Sequence, residues 1–246
     1  EDKSMVLVFN GEIYNYQELK KELQDVGHTF VSNTDSETLI HGYEEWGESL
    51  VERLRGMYAF AIWDTRKKKL FVARDIFGIK PLYYAQMNGT LMFASEIKAF
   101  MEHPKFDKVF NEDALGNYLS FQFVPTNETF FKGVFCLQPG HYFTYENGEL
   151  NITRYFEPNF TGNTEKSFEE IVDDVEAVMK ESVAMHKISD VEVASYLSSG
   201  VDSSYLTYLG QVDRTFTVGF DEGKYSEIQD AKEFAASINM KNDAKV

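Results

Sequence analysis

The sequence predicts an α+β fold rich in antiparallel strands over residues 1–160, then a parallel α/β unit over 161–246. Three observations predict it. Alternating apolar runs flank Asn-Gly pairs at 88–89 and 147–148, a strong hairpin signal. TGNTEK (161–166) is polar, contains glycine and lacks periodicity, so it reads as a linker. Beyond it strand-like and helix-like patterns alternate, which is the grammar of a parallel sheet.

The elements follow in order. MVLVF (5–9) reads as a buried strand ending at Asn10-Gly11. YQELKKELQDV (16–26) places Leu19, Leu23 and Val26 on one helical face, with Gly27 as the C-terminal cap. HTFVS (28–32) reads as a short strand. TDSE (34–37) has the capping-box spacing and opens a helix with Leu39, Ile40, Tyr43 and Trp46 inward. MYAFAIWD (57–64) and LFVARD (70–75) read as a hairpin across a basic turn. PLYYAQ (81–86) and TLMFAS (90–95) make the next hairpin, around Asn88-Gly89. A helix follows Asn111 through EDALGNYLSF, and GHYFTY (140–145) with LNITRYF (150–156) forms a third hairpin. In the second part, 167–187 is a long amphipathic helix and VEVASYL (191–197) a strand. SSGVDSS (198–204) is a loop, and SYLTYLG (204–210) a helix. TFTVGF (215–220) is the second strand, and SEIQDAKEFAASI (226–238) the last helix, which gives a sheet of two strands.

Composition removes several function classes. The 246 residues carry a net charge of −16, whereas a nucleic-acid binder needs a basic face to displace counterions from phosphates. No apolar run is long enough to span a bilayer, and EDKSMVLVFN has no signal-peptide pattern, so a cytoplasmic protein is expected. The single cysteine, Cys136, allows no internal disulfide and lies in a strand-like stretch, where a packing role is expected. The five histidines are scattered singly, with no metal-ligand spacing between them.

The loop SSGVDSS carries chemistry or makes an ordinary turn capped by Asp-Ser-Ser. A loop that leaves a parallel strand and opens a helix is where α/β folds hold ligands. The helix N-terminus offers unpaired N–H groups and partial positive charge. Gly200 lets the backbone approach a phosphate, and Ser198, Ser203 and Ser204 add hydroxyls. Asp202 would repel a phosphate directly, but a divalent cation can bridge it to pyrophosphate.

On these residues, SSGVDSS resembles the pyrophosphate loop of ATP pyrophosphatases, usually Ser-Gly-Gly-x-Asp-Ser-Ser, with Ser199 in place of one glycine. If that position requires a positive φ, Ser199 is strained. The resemblance implies ATP with Mg2+ as cofactor, held by Leu197, Ser198, Ser199, Gly200, Val201, Asp202, Ser203, Ser204 and Val218. Leu197 and Val218 would meet the nucleoside, and Asp202 the metal through pyrophosphate.

In the first part, FNGEIYNY (9–16), TDSE (34–37), RLRGMYAFAIWD (53–64), ARDIFGIKPLYY (73–84) and FASEIKAF (93–100) together resemble class II glutamine amidotransferase domains. The order of the two parts is similar to that in the glutamine-hydrolysing asparagine synthetases of the bacterial B type. That resemblance implies an N-terminal-nucleophile hydrolase sandwich. It implies glutamine hydrolysis to ammonia, coupled to ATP-dependent amidation of aspartate through an aspartyl-adenylate. The partners would be glutamine, aspartate and ATP, with room for a homodimer and with no nucleic acid or membrane. Asn10 and Gly11 would form the oxyanion hole and bind glutamine, and Glu12 and Asp35 would bind its α-ammonium. The family's N-terminal cysteine nucleophile and carboxylate-binding arginine find no match here, and Cys136 is no substitute, so this chain alone is expected to be inactive. A relative with another acceptor, or a non-catalytic nucleotide-binding fragment, is the alternative.

Overall fold

The computed structural model describes residues 4–162, 165–220 and 226–246. The chain divides into two compact units, Glu1–Phe160 and Thr161–Val246. Residues 163 and 164 of the expected linker lie outside the described residues.

The first unit is a sandwich of two antiparallel sheets. One sheet has the order β1-β2-β3-β7-β8, from β1 (Met5–Ile13), β2 (Gly56–Asp64), β3 (Lys69–Arg74), β7 (His141–Glu146) and β8 (Glu149–Arg154). The other has the order β5-β4-β6, from β4 (Tyr83–Met87), β5 (Thr90–Ala94) and β6 (Val134–Cys136). Asn88, Gly89, Asn147 and Gly148 all have positive φ, the geometry that tight hairpins need and these residues adopt at little cost. Between the sheets, Ala59, Ala61, Leu70, Val72 and Phe143 pack against Leu82, Tyr84 and Leu137.

Helices α1 (Tyr16–Asp25) and α2 (Asp35–Trp46) cover the outer face of the larger sheet. Leu19, Leu39 and Tyr43 meet Phe60, Ile62 and Phe71 there. Each such large side chain contributes about 1.5–3 kcal/mol when fully buried. Outside the smaller sheet, Phe100 packs with Ala85, Met92 and Val134. Helix α3 (Glu112–Phe121) follows Asn111, whose amide donates to the Thr129 carbonyl at 3.1 Å.

Four expectations for this unit change. β1 is not buried and does not stop at Gly11: it runs to Ile13, with Val6 53% and Val8 60% exposed. It pairs with β2 at the sheet's edge, so only alternate side chains reach the helix layer. HTFVS is not a strand. The N–H groups of Val31 and Ser32 donate to the Glu37 carboxylate, both at 2.7 Å, instead of joining a ladder. Those bonds also dissolve the expected capping box, because Glu37 reaches past Thr34, whose side chain makes no cap bond. Val26 follows the last turn of α1 and is 61% exposed, while Gly27, at φ +104°, ends the helix as expected.

The second unit has a three-stranded parallel sheet, order β11-β10-β9, from β9 (Ala194–Tyr196), β10 (Arg214–Val218) and β11 (Asn242–Lys245). The sequence indicated two strands. NDAK has no apolar periodicity and becomes a strand only by pairing with β10. The helices are α4 (Phe168–His186), α5 (Val201–Gly210) and α6 (Ile228–Ser237). Ser167 and Glu170 form a true capping box at the start of α4. Among the described residues, no helix is long and apolar enough to cross a membrane.

Candidate functional site

The first cluster lies at the end of β1. Asn10 and Glu12 share one face of the strand, two residues apart, with Gly11 between them. A Cβ on Gly11 would lie 2.7 Å from the Tyr58 Cα and would overlap the Met57 carbonyl, so only glycine allows this approach to β2. Asn10 lines a cavity of about 240 Å³ between the sheets. The small side chains of Ala59 and Ala61 leave that space, and Val8, Leu82, Phe93 and Ser95 wall it. The Asn10 amide donates to the Ser95 hydroxyl at 3.3 Å, which orients it across the cavity mouth.

Asp35 comes from the first residue of α2. Its Oδ2 accepts from the Ile13 N–H at 3.0 Å, so its carboxylate sits one residue past Glu12. Two carboxylates 23 positions apart are thereby brought to one strand end. Burial pushes the Tyr14 phenol up, and the Glu12 and Asp75 carboxylates push it the same way. A strand end with an oriented amide, a close main-chain approach and two carboxylates suits a small molecule bearing both a carboxamide and an ammonium.

Sequence reasoning passed over four residues that build this end. Asn15 replaces a strand pairing just after β1: its amide donates to the Arg53 carbonyl, and its oxygen accepts from the Arg55 N–H, both at 2.9 Å. Asp75 is fully buried and accepts from the N–H groups of Tyr58, Phe77, Ile79 and Lys80 at 3.0–3.2 Å. Arg74 donates to the carbonyls of Gly78, Lys80 and Leu137. Ser95, which holds Asn10, is the fourth. A charged pair at the end of an apolar run, followed by Gly78 and Pro81, was the available signal.

Cys136 is not among the residues lining the cavity. It sits half-buried in β6, where its Sγ accepts from Arg74 Nη1 at 3.1 Å.

The second cluster is the loop between β9 and α5. The helix begins at Val201, so Val201, Asp202, Ser203 and Ser204 form its first turn instead of lying in the loop. The first N–H groups of a helix have no carbonyl partner within it. The Ser198 and Ser203 hydroxyls are 2.8 Å apart, and Gly200 N–H donates to Ser198 Oγ at 3.2 Å. Ser199 is not among the residues with positive φ, and Gly200 has φ −71°, so serine at 199 costs no backbone strain. Ser199 N–H donates to the Glu227 carboxylate at 3.4 Å. The loop thus already holds an anionic oxygen. Leu197 is 2% exposed, its side chain packed with Ala231 and Ala235, whereas Val218 is 71% exposed.

Residues 1–156 match the family described as the glutamine amidotransferase domain. The chain belongs to that family. Its sandwich is the N-terminal-nucleophile hydrolase fold expected from the motifs. Residues 174–246 match the asparagine synthase family. Among curated relatives, "Asparagine synthetase [glutamine-hydrolyzing] 1" of Bacillus subtilis is 41% identical over 100% of this chain. "Putative asparagine synthetase [glutamine-hydrolyzing]" of Mycobacterium tuberculosis is 41% identical over 98% of it. The chain spans 39% of the length of each of these relatives. A solved glutamine phosphoribosylpyrophosphate amidotransferase from B. subtilis covers 99% of this chain and 46% of its own, at 18% identity and a TM-score of 0.45. That likeness is too slight to add to the argument.

Proposed function

We propose that this chain is the amidotransferase part, with the start of the synthetase part, of a glutamine-dependent asparagine synthetase. The observation that supports the reading is Asp35 docked on the N–H of Ile13, the residue that follows Asn10, Gly11 and Glu12 along β1. In this reading the Asn10 amide and the Gly11 N–H receive the carboxamide oxygen of glutamine as negative charge develops on it. Glu12 and Asp35 hold the α-ammonium. The nucleophile is a separate group, since Cys136 is held in β6 by Arg74. Ammonia released here would serve amidation of an aspartate carboxylate activated by ATP, in a cytoplasmic ligase.

Residues 198–204, the loop with the first turn of α5, are the pyrophosphate-binding part of that second reaction. Their fit to a phosphate rests on the Glu227 carboxylate already accepting from Ser199 N–H, and on the clustered hydroxyls of Ser198 and Ser203. A phosphate oxygen replaces the Glu227 oxygen, and Gly200 keeps the approach open. Asp202, in the first turn of α5, would hold Mg2+, which when bound screens the phosphate charge. Val218 offers exposed apolar surface to the nucleoside, and Leu197 positions the loop from beneath.

The test uses the complete gene product. Asp35→Asn is expected to raise the KM for glutamine about 10- to 100-fold, the cost of one charge-assisted contact of about 1.5–3 kcal/mol. Asparagine formation from free ammonia should stay unchanged. An unaltered KM for glutamine would sink the assignment.

A further inference from the structure

We propose a Zn2+ site formed by His28, His41 and Glu44, at the turn between α1 and α2. The three candidate ligand atoms, His28 Nδ1, His41 Nδ1 and Glu44 Oε2, lie within 4.8 Å of one another. The two imidazole nitrogens are 3.3 Å apart, His41 to Glu44 is 2.9 Å, and His28 to Glu44 is 3.8 Å. Zn2+ with bonds of about 2.0–2.1 Å spaces tetrahedral ligands about 3.3–3.4 Å apart, and the three spacings bracket that edge. His41 and Glu44 are three apart on one face of α2, and His28 is delivered by the chain leaving α1.

The opposite ring nitrogens complete the arrangement. His28 Nε2 lies 3.1 Å from Glu45 Oε2, and His41 Nε2 lies 3.6 Å from Glu37 Oε1. Each imidazole therefore turns its Nδ1 toward the other two candidate ligand atoms and its Nε2 toward a carboxylate. That is the way histidine ligands are oriented around zinc. Glu37 is fixed in turn by the Val31 and Ser32 N–H groups. With both Nδ1 lone pairs on a cation, both Nε2–H groups face acceptors and neither ring needs a charge.

Two imidazoles and one carboxylate select a borderline transition ion over Mg2+ or Ca2+, and three protein ligands leave a fourth position for water. The bound ion would tie the 28–34 segment to α2, whose first residue, Asp35, reaches the end of β1. The histidine positions are 13 apart, outside any ligand spacing that sequence alone would flag.

The test is zinc uptake by the purified chain after chelator treatment, read by mass spectrometry of the metal and by thermal midpoint. One zinc per chain is expected, with a higher midpoint when it is bound. Cobalt(II) in its place should give the visible bands of a tetrahedral site in the unmutated chain. His28→Ala and His41→Ala should each weaken zinc binding at least about 100-fold, and Glu45→Gln about 10-fold. A chain with His103→Ala, His141→Ala and His186→Ala should bind as before. Absence of stoichiometric uptake, octahedral cobalt bands, or zinc binding indifferent to His28→Ala and His41→Ala would each overturn the site.

Discussion

A buried carboxylate is the residue on which the candidate amidotransferase site is hung. Asp75 follows β3 directly and takes four backbone N–H groups, one from β2 and three from the 77–80 segment. A carboxylate is an acceptor at both oxygens, which is why it suits a converging set of donors. Asp75→Asn keeps the shape but turns one end into a donor facing donors. We expect a loss of about 3 kcal/mol in unfolding free energy, from a buried polar group left unpaired and charge-assisted bonds lost. Urea denaturation of the two proteins checks this; equal midpoints would mean the segment is held by Arg74 alone. Little of this was legible in the sequence. A lone Asp at a strand end carries no sign of burial, because four backbone donors are gathered by the fold and not by spacing. Asn10, Gly11 and Glu12 were legible because they are consecutive. Asp35 entered only through its resemblance to a family motif, since its contact with Ile13 crosses 22 positions.

At the scale of elements, the legible parts were those whose signal is local. The hairpins at 88–89 and 147–148 stood out because Asn-Gly meets the φ demands of the turn without help. β11 was illegible, since its four residues are polar enough to read as coil and become a strand through β10. HTFVS failed in the other direction. Its β propensity is real, but its donors belong to Glu37. The start of α5 was read three residues late, and the correction matters chemically, because it puts Asp202 and Ser203 on the helix N-terminus. It also yields a clean test of the loop. Gly200 has an ordinary extended backbone, and a Cβ there would meet the hydroxyl oxygens of Ser198 at 3.3 Å and Ser203 at 4.0 Å. Gly200→Ala should therefore leave stability within about 0.5 kcal/mol of the parent. Titration calorimetry with ATP and Mg2+ should show binding weakened at least about 10-fold, because the methyl group occupies the path of the phosphate. Unchanged affinity would mean that the loop is only a βα turn.

At the scale of the molecule, its pH limits follow from which groups are buried. Tyr43 and Tyr155 are pushed up to about 12, each mainly by burial, and Tyr58 is pushed up by burial and by the Tyr155 hydroxyl 2.9 Å away. An unfolded tyrosine ionises near 10. The folded first unit thus holds these protons more tightly than the unfolded chain does. Their stabilising effect is complete below pH 10 and is lost as pH rises toward about 12. At the acid end the direction reverses. Burial raises the Glu48 carboxyl, but its bond to Lys69, its own backbone N–H and the charges of Lys69 and Lys67 together outweigh that and lower it, so its contribution fades only as pH falls below the ordinary glutamate value. The alkaline limb tests the phenols directly, since ionised tyrosine is read by its ultraviolet absorbance while the lysines that titrate in the same range are silent there. The thermal midpoint should stay flat to about pH 10 and then fall, with some of the 14 tyrosines ionising only as the unit unfolds. Tyr155→Phe supplies the control. It leaves the Arg74 carbonyl without the 2.7 Å bond it accepts, which lowers the midpoint at neutral pH. It also removes one of the raised phenols, which makes the alkaline decline shallower. A decline of unchanged steepness in Tyr155→Phe would place the alkaline limit in the self-repulsion of a chain of net charge −16, and added salt would then relieve it.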